Sequence, residues 1–259
     1  MATSTKIALV VEYDGTHYHG FQLQADLPTV QGEIEEALWK LTGERVRVMA
    51  ASRTDAGVHA EGQVVGFRTI SSLPPQTFVK GLDHYLPGDI AVKEAFRVGA
   101  SIDIRRKALS REYHYYILNS QTRSPIRQGF SYLVAGHLDI GSMNQACQAL
   151  IGEHDFVSFA TDIEIGENTT RNIYIAEMKK NGDLIIFKIV AGSFLRHQVR
   201  NTVGALIKVG LGKMTVDEFR SIVEARRPGR AGPTAPAHGL CLMRVNYPGP
   251  LGEMLDENL

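Results

Sequence analysis

Strand and helix signals follow one another in the order strand, helix, strand, strand, helix, strand, and along these 259 residues the order occurs twice. That repetition restricts the fold more than any other feature of the sequence. In the first half, strands are expected at 6–13, 46–51, 63–70 and 90–97, from apolar or alternating runs such as Ile7-Ala8-Leu9-Val10-Val11 that suit a pleated, half-buried surface. Helices are expected at 30–41, where Glu33 and Glu35 precede Leu38 and Leu41 and Gly43 supplies a stop, and at 75–86, opened by Pro74-Pro75 and followed by Gly88. The second half places strands at 112–119, 170–180, 184–190 and 241–247, helices at 141–151 and 194–209, and a short extra helix at 216–224.

This is the ferredoxin-like order, and it predicts an α+β fold of two such halves. The expected domains are residues 1–105 and 106–259, with 99–110, which carries Arg105-Arg106-Lys107, as the linker. A hydrophobic content of 44% over this length supports a core for one large or two ordinary domains. Asn181-Gly182 between two strand runs is a short hairpin signal.

The polar nonapeptide Ser52-Arg53-Thr54-Asp55-Ala56-Gly57-Val58-His59-Ala60 connects two of the first half's strands. Asp-Ala-Gly is a turn signal in its own right, since Asp bonds its own downstream backbone and Gly accepts positive φ. What distinguishes this turn is company: Arg53 stands two residues from Asp55, and His59 and Gln63 follow closely. A loop on a rigid sheet is the usual platform for chemistry. In the second half, Arg196, His197 and Arg200 open the helix expected at 194–209, at three- and four-residue spacings. Phe194, Leu195, Val199, Val203 and Leu206 make much of that helix apolar. A partly buried arginine on it would require an anion, for which Asp55 is a candidate.

A net charge of zero argues on its face against a nucleic-acid partner. Locally the balance differs, with eight Lys or Arg against three acids from Lys93 to Arg127 and nine against three from Lys188 to Arg230. Such segregation fits a basic groove and equally fits solvated helix faces. Cys147 and Cys241 lie far apart in apolar surroundings without metal-ligand spacing, which reads as buried reduced thiols in a cytoplasmic protein. The start of the chain lacks the form of a signal peptide, and no apolar run approaches a membrane span.

The turn Arg53 to Ala60 closely resembles the signature of the tRNA pseudouridine synthase A family. The resemblance extends through Tyr13-Asp14-Gly15-Thr16 with Gly20-Phe21-Gln22, Arg111-Glu112-Tyr113-His114-Tyr115, His154-Asp155-Phe156 with Ser158-Phe159, Gly192-Ser193-Phe194-Leu195 through Val199-Arg200-Asn201, and Ala235-Pro236-Ala237-His238-Gly239-Leu240. It implies two ferredoxin-like halves sharing a mixed, mainly antiparallel central sheet, a catalytic cleft between them, and a homodimer. It also implies conversion of uridine to pseudouridine at positions 38, 39 and 40 of the tRNA anticodon stem-loop. Asp55 matches the family's catalytic aspartate, Arg53 the arginine that fills the space of the flipped-out nucleotide, Tyr113 the tyrosine stacked on the target base, and Arg200 the arginine paired with the aspartate. Ser52 stands where the family usually has Gly, Ile102 where an aromatic is common, and Cys241 where Tyr is common.

Pseudouridine formation breaks N1–C1′, turns the base and joins C5 to C1′. Nothing is gained, lost or oxidised, so neither cofactor nor metal is expected. Cleavage develops positive charge at C1′, for which an ionised carboxylate is a suitable nucleophile, electrostatic partner or base. A cation within about 4 to 6 Å favours that form by ~1 to 3 pKa units, so pairing with Arg200 would keep Asp55 ionised near neutral pH. Extruding the uridine costs a few kcal/mol, and stacking on an aromatic ring contributes ~1 to 3 kcal/mol, the part open to Tyr113. On their residues alone, Tyr113, Tyr115 and Tyr116 equally read as strand packing. His59, Arg105 and Arg111 are candidate substrate contacts; a backbone-bonded turn histidine and a solvated linker explain them as well. The rival reading is a non-catalytic tandem RNA-binding protein, which would display aromatics in a Lys/Arg-Gly-Phe/Tyr pattern that this sequence lacks.

Overall fold

The structure, a computed structural model, describes residues 4–164 and 166–255. In chain order its elements are β1 (Thr5–Tyr13), α1 (Val30–Thr42), β2 (Met49–Ala50), β3 (His59–Thr69), α2 (Pro75–Tyr85), β4 (Ile90–Val98), β5 (Ser110–Leu118), β6 (Tyr132–Leu133), α3 (Ile140–Gln148), β7 (Gly152–Asp155), β8 (Thr170–Asn181), β9 (Leu184–Ala191), α4 (Gln198–Gly210), α5 (Val216–Ala225) and β10 (Leu240–Asn246). The α+β class is as expected. The chain divides into two compact units: one runs through Arg111 and takes back the residues from Leu242 on, and the other is Glu112–Cys241. The final strand, assigned from sequence to the second half, therefore lies mostly in the first unit. Gly62 of β3 runs so close to it that a Cβ there would lie 2.4 Å from Met243 O.

In the first unit the strand order is β4-β1-β3-β10, with β1 antiparallel to both β3 and β4. β2 is a stub pairing Met49 with Gly66 and Ala50 with Val65. The longer strand expected at 46–51 stops at Val48, because that peptide bonds to helix side chains: its N–H donates to Glu35 Oε1 (2.9 Å) and its carbonyl accepts from Gln31 Nε2 (3.3 Å). α1 begins where Thr29 accepts from Gly32 N–H (3.2 Å) and ends at Gly43 in the left-handed region, a standard stop. It buries Val30, Ile34, Ala37 and Leu38, a helical stripe whose large members contribute about 1.5–3 kcal/mol each.

In the second unit the order is β5-β9-β8-β7, with β6 parallel to β5 and the β7-β8-β9 pairs antiparallel. The β8–β9 hairpin forms where Asn-Gly predicts a turn, one residue later than that dipeptide implies. Asn181 pairs with Leu184, so Gly182-Asp183 are the central residues. Gly182 has φ +59° and Asp183 stays negative, consistent with a turn that needs glycine first. α3 and α4 pack so closely that a Cβ on Gly210 would lie 2.5 Å from Met143 Sδ. α4 starts four residues later than expected, at Gln198, because His197 takes φ +59° and Gln198 Oε1 accepts from Leu195 N–H (2.8 Å). Arg196 and His197 thus precede the helix.

Candidate active site

Asp55 is half-buried in the connection between β2 and β3. The sheet side of this turn is held by Gln63, a fully buried polar residue of β3. Gln63 Nε2 donates to Ser52 O (2.6 Å) and to the Tyr13 hydroxyl (3.4 Å), while Oε1 accepts from Ser52 N–H (3.3 Å). The Tyr13 hydroxyl in turn shares a 2.7 Å bond with Thr54 Oγ1. The other side is backed by residues 15–21: Phe21 N–H donates to Thr54 O (3.1 Å) and Gly57 N–H to Tyr18 O (3.2 Å). The approach needs glycine. A Cβ on Gly15 would lie 2.1 Å from Val58 O, and one on Gly20, which has φ +90°, 2.7 Å from Thr54 O. A half-buried carboxylate fixed on both flanks is suited to attack or proton abstraction at one defined point.

Ser52 does not have positive φ, so this side chain sits at the family's usual glycine position without backbone strain. Arg53 is exposed beside Asp55. His59 is only 4% exposed and is the first residue of β3. Its Nδ1 receives Gly15 N–H (3.1 Å) and lies 3.0 Å from Asp14 Oδ1, which makes it a joint between β3 and the backing loop. Burial raises the Asp14 carboxyl, but the hydroxyl and amide of Thr16, with the His59 and His17 imidazoles, outweigh this and hold it below the ordinary carboxylate value.

The two expected basic contacts separate. Arg105 is exposed in the linker. Arg111 is buried, and its guanidinium donates to Ala51 O (2.8 Å), Arg105 O (2.8 Å) and Ala108 O (3.3 Å), tying the linker to the entry of the Asp55 turn.

In the second unit, Tyr113 on β5 is 5% exposed and meets Phe194 edge to face, with centroids 5.3 Å apart and planes at 88°. Neighbouring Tyr115 is fully buried and donates to Pro236 O (2.8 Å). Desolvation pushes its hydroxyl well above the usual tyrosine range, partly offset by the charge of Arg200. Arg200 is half-buried on α4; its Nε–H donates to Ala235 O (2.9 Å), and its carbonyl accepts from Ala235 N–H (3.2 Å). Arg196, the other arginine expected to seek an anion, pairs with Asp162 at 2.7 Å.

The structure thus brings Arg53, Asp55 and His59 together around one turn of the first unit, and aligns Tyr113 and Arg200 with their own supports in the second. The sequence sets Gln63 near the Asp55 turn but does not show that it braces it, and Tyr13 and Thr54 likewise lie within the motifs that carry the family resemblance without any sign that they bond to each other. Ala235 acts through backbone groups that every residue carries.

A family described as tRNA pseudouridine synthase matches residues 9–105 and 146–248, so the chain's class is that of tRNA-modifying synthases. Three relatives narrow it further, all named tRNA pseudouridine synthase A. That of Acetivibrio thermocellus is 42% identical over 241 residues, 93% of this chain and 99% of the relative. That of Exiguobacterium sp. is 43% identical, covering 93% and 98%, and that of Francisella tularensis subsp. novicida 40%, covering 93% of each. The chain belongs to the tRNA pseudouridine synthase A family.

Proposed function

We propose that this chain is an isomerase converting uridine to pseudouridine at positions 38, 39 and 40 of the tRNA anticodon stem-loop, with Asp55 as the reacting carboxylate. The observation that carries this reading is the Asp55 turn, clamped from the sheet by Gln63 and from the loop by residues 15–21, in a chain of this family. Asp55 acts at the ribosyl or uracil carbon while N1–C1′ opens and C5–C1′ forms. Arg200 pairs with Asp55, Tyr113 stacks on the displaced uracil, and Arg53 occupies the space the nucleotide leaves. His59 and Arg111 serve by fixing the turn, and Arg105 is left as a phosphate contact. The enzyme acts in the cytoplasm as a homodimer, following the family resemblance.

The test is tritium release from tRNA labelled at uracil C5. The intact protein releases tritium; Asp55→Ala binds tRNA but releases none. Arg200→Ala binds tRNA and releases none. Release by Asp55→Ala removes that residue from the chemistry, release by Arg200→Ala removes the pairing, and binding without release by the intact protein supports a non-catalytic RNA-binding protein instead.

A further inference from the structure

The segment after α5 is a basic strap fastened twice to one buried serine. Ser158, 1% exposed, accepts from Arg227 N–H through its hydroxyl (3.1 Å) and from Ala231 N–H through its carbonyl (3.2 Å). Farther on, the Thr234 hydroxyl donates to Asn201 Oδ1 (2.6 Å), and Asn201 Nδ2 donates to Phe159 O (2.7 Å). At or beside these fastenings, Arg226, Arg227 and Arg230 are exposed. Gly232, at φ +89°, makes room for a fourth cation, since a Cβ there would lie 2.3 Å from Lys208 Nζ.

Among the described residues, none of these four cations has an ion pair, and neither does Glu224, the nearest acid along the chain. The end of α5 accounts for one of them: Arg226 follows the last helical residue, where a cation is favoured by the helix dipole, an effect confined to the final turn. Arg227, Arg230 and Lys208 lie outside that explanation. Like charges gathered on a pinned backbone repel one another, and an outside anion relieves the repulsion. Guanidinium forks match phosphate oxygens in geometry as well as charge, and a strap already held in place loses little entropy on binding.

We propose that Arg226, Arg227 and Arg230, with Lys208, form a docking surface for RNA backbone phosphates, separate from the residues given chemical roles above. This rests on the reading of the chain as a tRNA-modifying enzyme, and tRNA is the probe. Binding of tRNA by fluorescence anisotropy across a salt series is compared for the intact protein, an Arg226→Gln/Arg227→Gln/Arg230→Gln variant, and a control removing three exposed cations elsewhere in the unit, Lys179→Gln/Lys180→Gln/Arg220→Gln. Each lost phosphate contact lowers the slope of log affinity against log salt by about 0.7 to 0.9. The strap variant is expected to lose about two to three from that slope, to bind at least tenfold more weakly, and to keep its kcat within twofold. The control keeps its slope within about one of the parent. If the triple variant melts early, Arg230→Gln alone decides by a loss of about one. An unchanged slope in the strap variants, or an equal loss in the control, overturns the docking surface alone. A flat titration of the intact protein overturns the tRNA reading and the surface with it.

Discussion

In each unit a two-stranded hairpin falls between two helices, but the two units connect the strands of that hairpin in opposite ways. In the first, β2 and β3 are joined by residues 51–58, and that excursion carries Arg53 and Asp55. In the second, β8 and β9 are joined by Gly182-Asp183 alone, and the polar groups stand instead at the start of α4 and in the strap it anchors. A common scaffold tolerates a site wherever a connection is lengthened and then braced. The bracing distinguishes them: the long turn has amide, hydroxyl and glycine contacts on both flanks, while the short one needs only a residue that accepts positive φ.

The largest expected effect follows from that contrast. Gly15→Ala drives a Cβ to 2.1 Å from the Val58 carbonyl, a backbone collision costing about 3 kcal/mol, and activity should disappear with it. Gly182→Ala meets nothing within 4 Å and has only its φ of +59° to overcome, about 1–2 kcal/mol, with activity intact. Urea unfolding and tritium release measure both, and equal costs would break the comparison. A smaller effect is expected from Gln63→Leu, which removes the bonds to both peptide groups of Ser52. It should cost about 1–3 kcal/mol and lower kcat about tenfold through misplacement of Asp55, with tRNA affinity unchanged. A parallel loss of affinity would mean that Gln63 supports the unit generally rather than the turn.

The smallest effect is in pH dependence. The folded Asp14 carboxyl lies below its reference value of 3.8, so its contribution is fully present above that value and lost as pH falls through the lower folded value. Asp14→Asn should therefore narrow the gap in melting temperature between neutral and acid solution. A gap equal to the parent's would show that the backing loop does not depend on the Asp14 charge.

Much of this architecture was legible in the sequence because its signals are local. Glu33 in the first turn and Gly43 at the stop mark the ends of α1, and Ile7 to Val11 read directly as a strand. The failures occur where a side chain or an unusual backbone angle overrides the expected ladder or helix. Val48 bonds to α1 instead of extending β2. The apolar pattern from Phe194 suggested helix, but His197 at positive φ and the Gln198 side chain delay it. Of the candidate site, the placement of Asp55 in a connection between two strands was readable from its neighbours, whereas the placement of Arg111 was not. Nothing in an Arg-rich linker distinguishes an arginine facing solvent from one turned inward onto the Ala51, Arg105 and Ala108 carbonyls.

The return of the chain's last strand to the first unit sets an order of events during synthesis. Leu109 N–H donates to Asn246 O (2.8 Å), Tyr247 donates to Ile104 O (2.8 Å), and Gly99 N–H reaches Met254 O (2.8 Å). A nascent chain that has exposed only the residues up to Arg111 therefore has β3 without its β10 neighbour. The unit whose coding sequence is translated first can therefore complete its contacts only after residues as late as Met254 have left the ribosome.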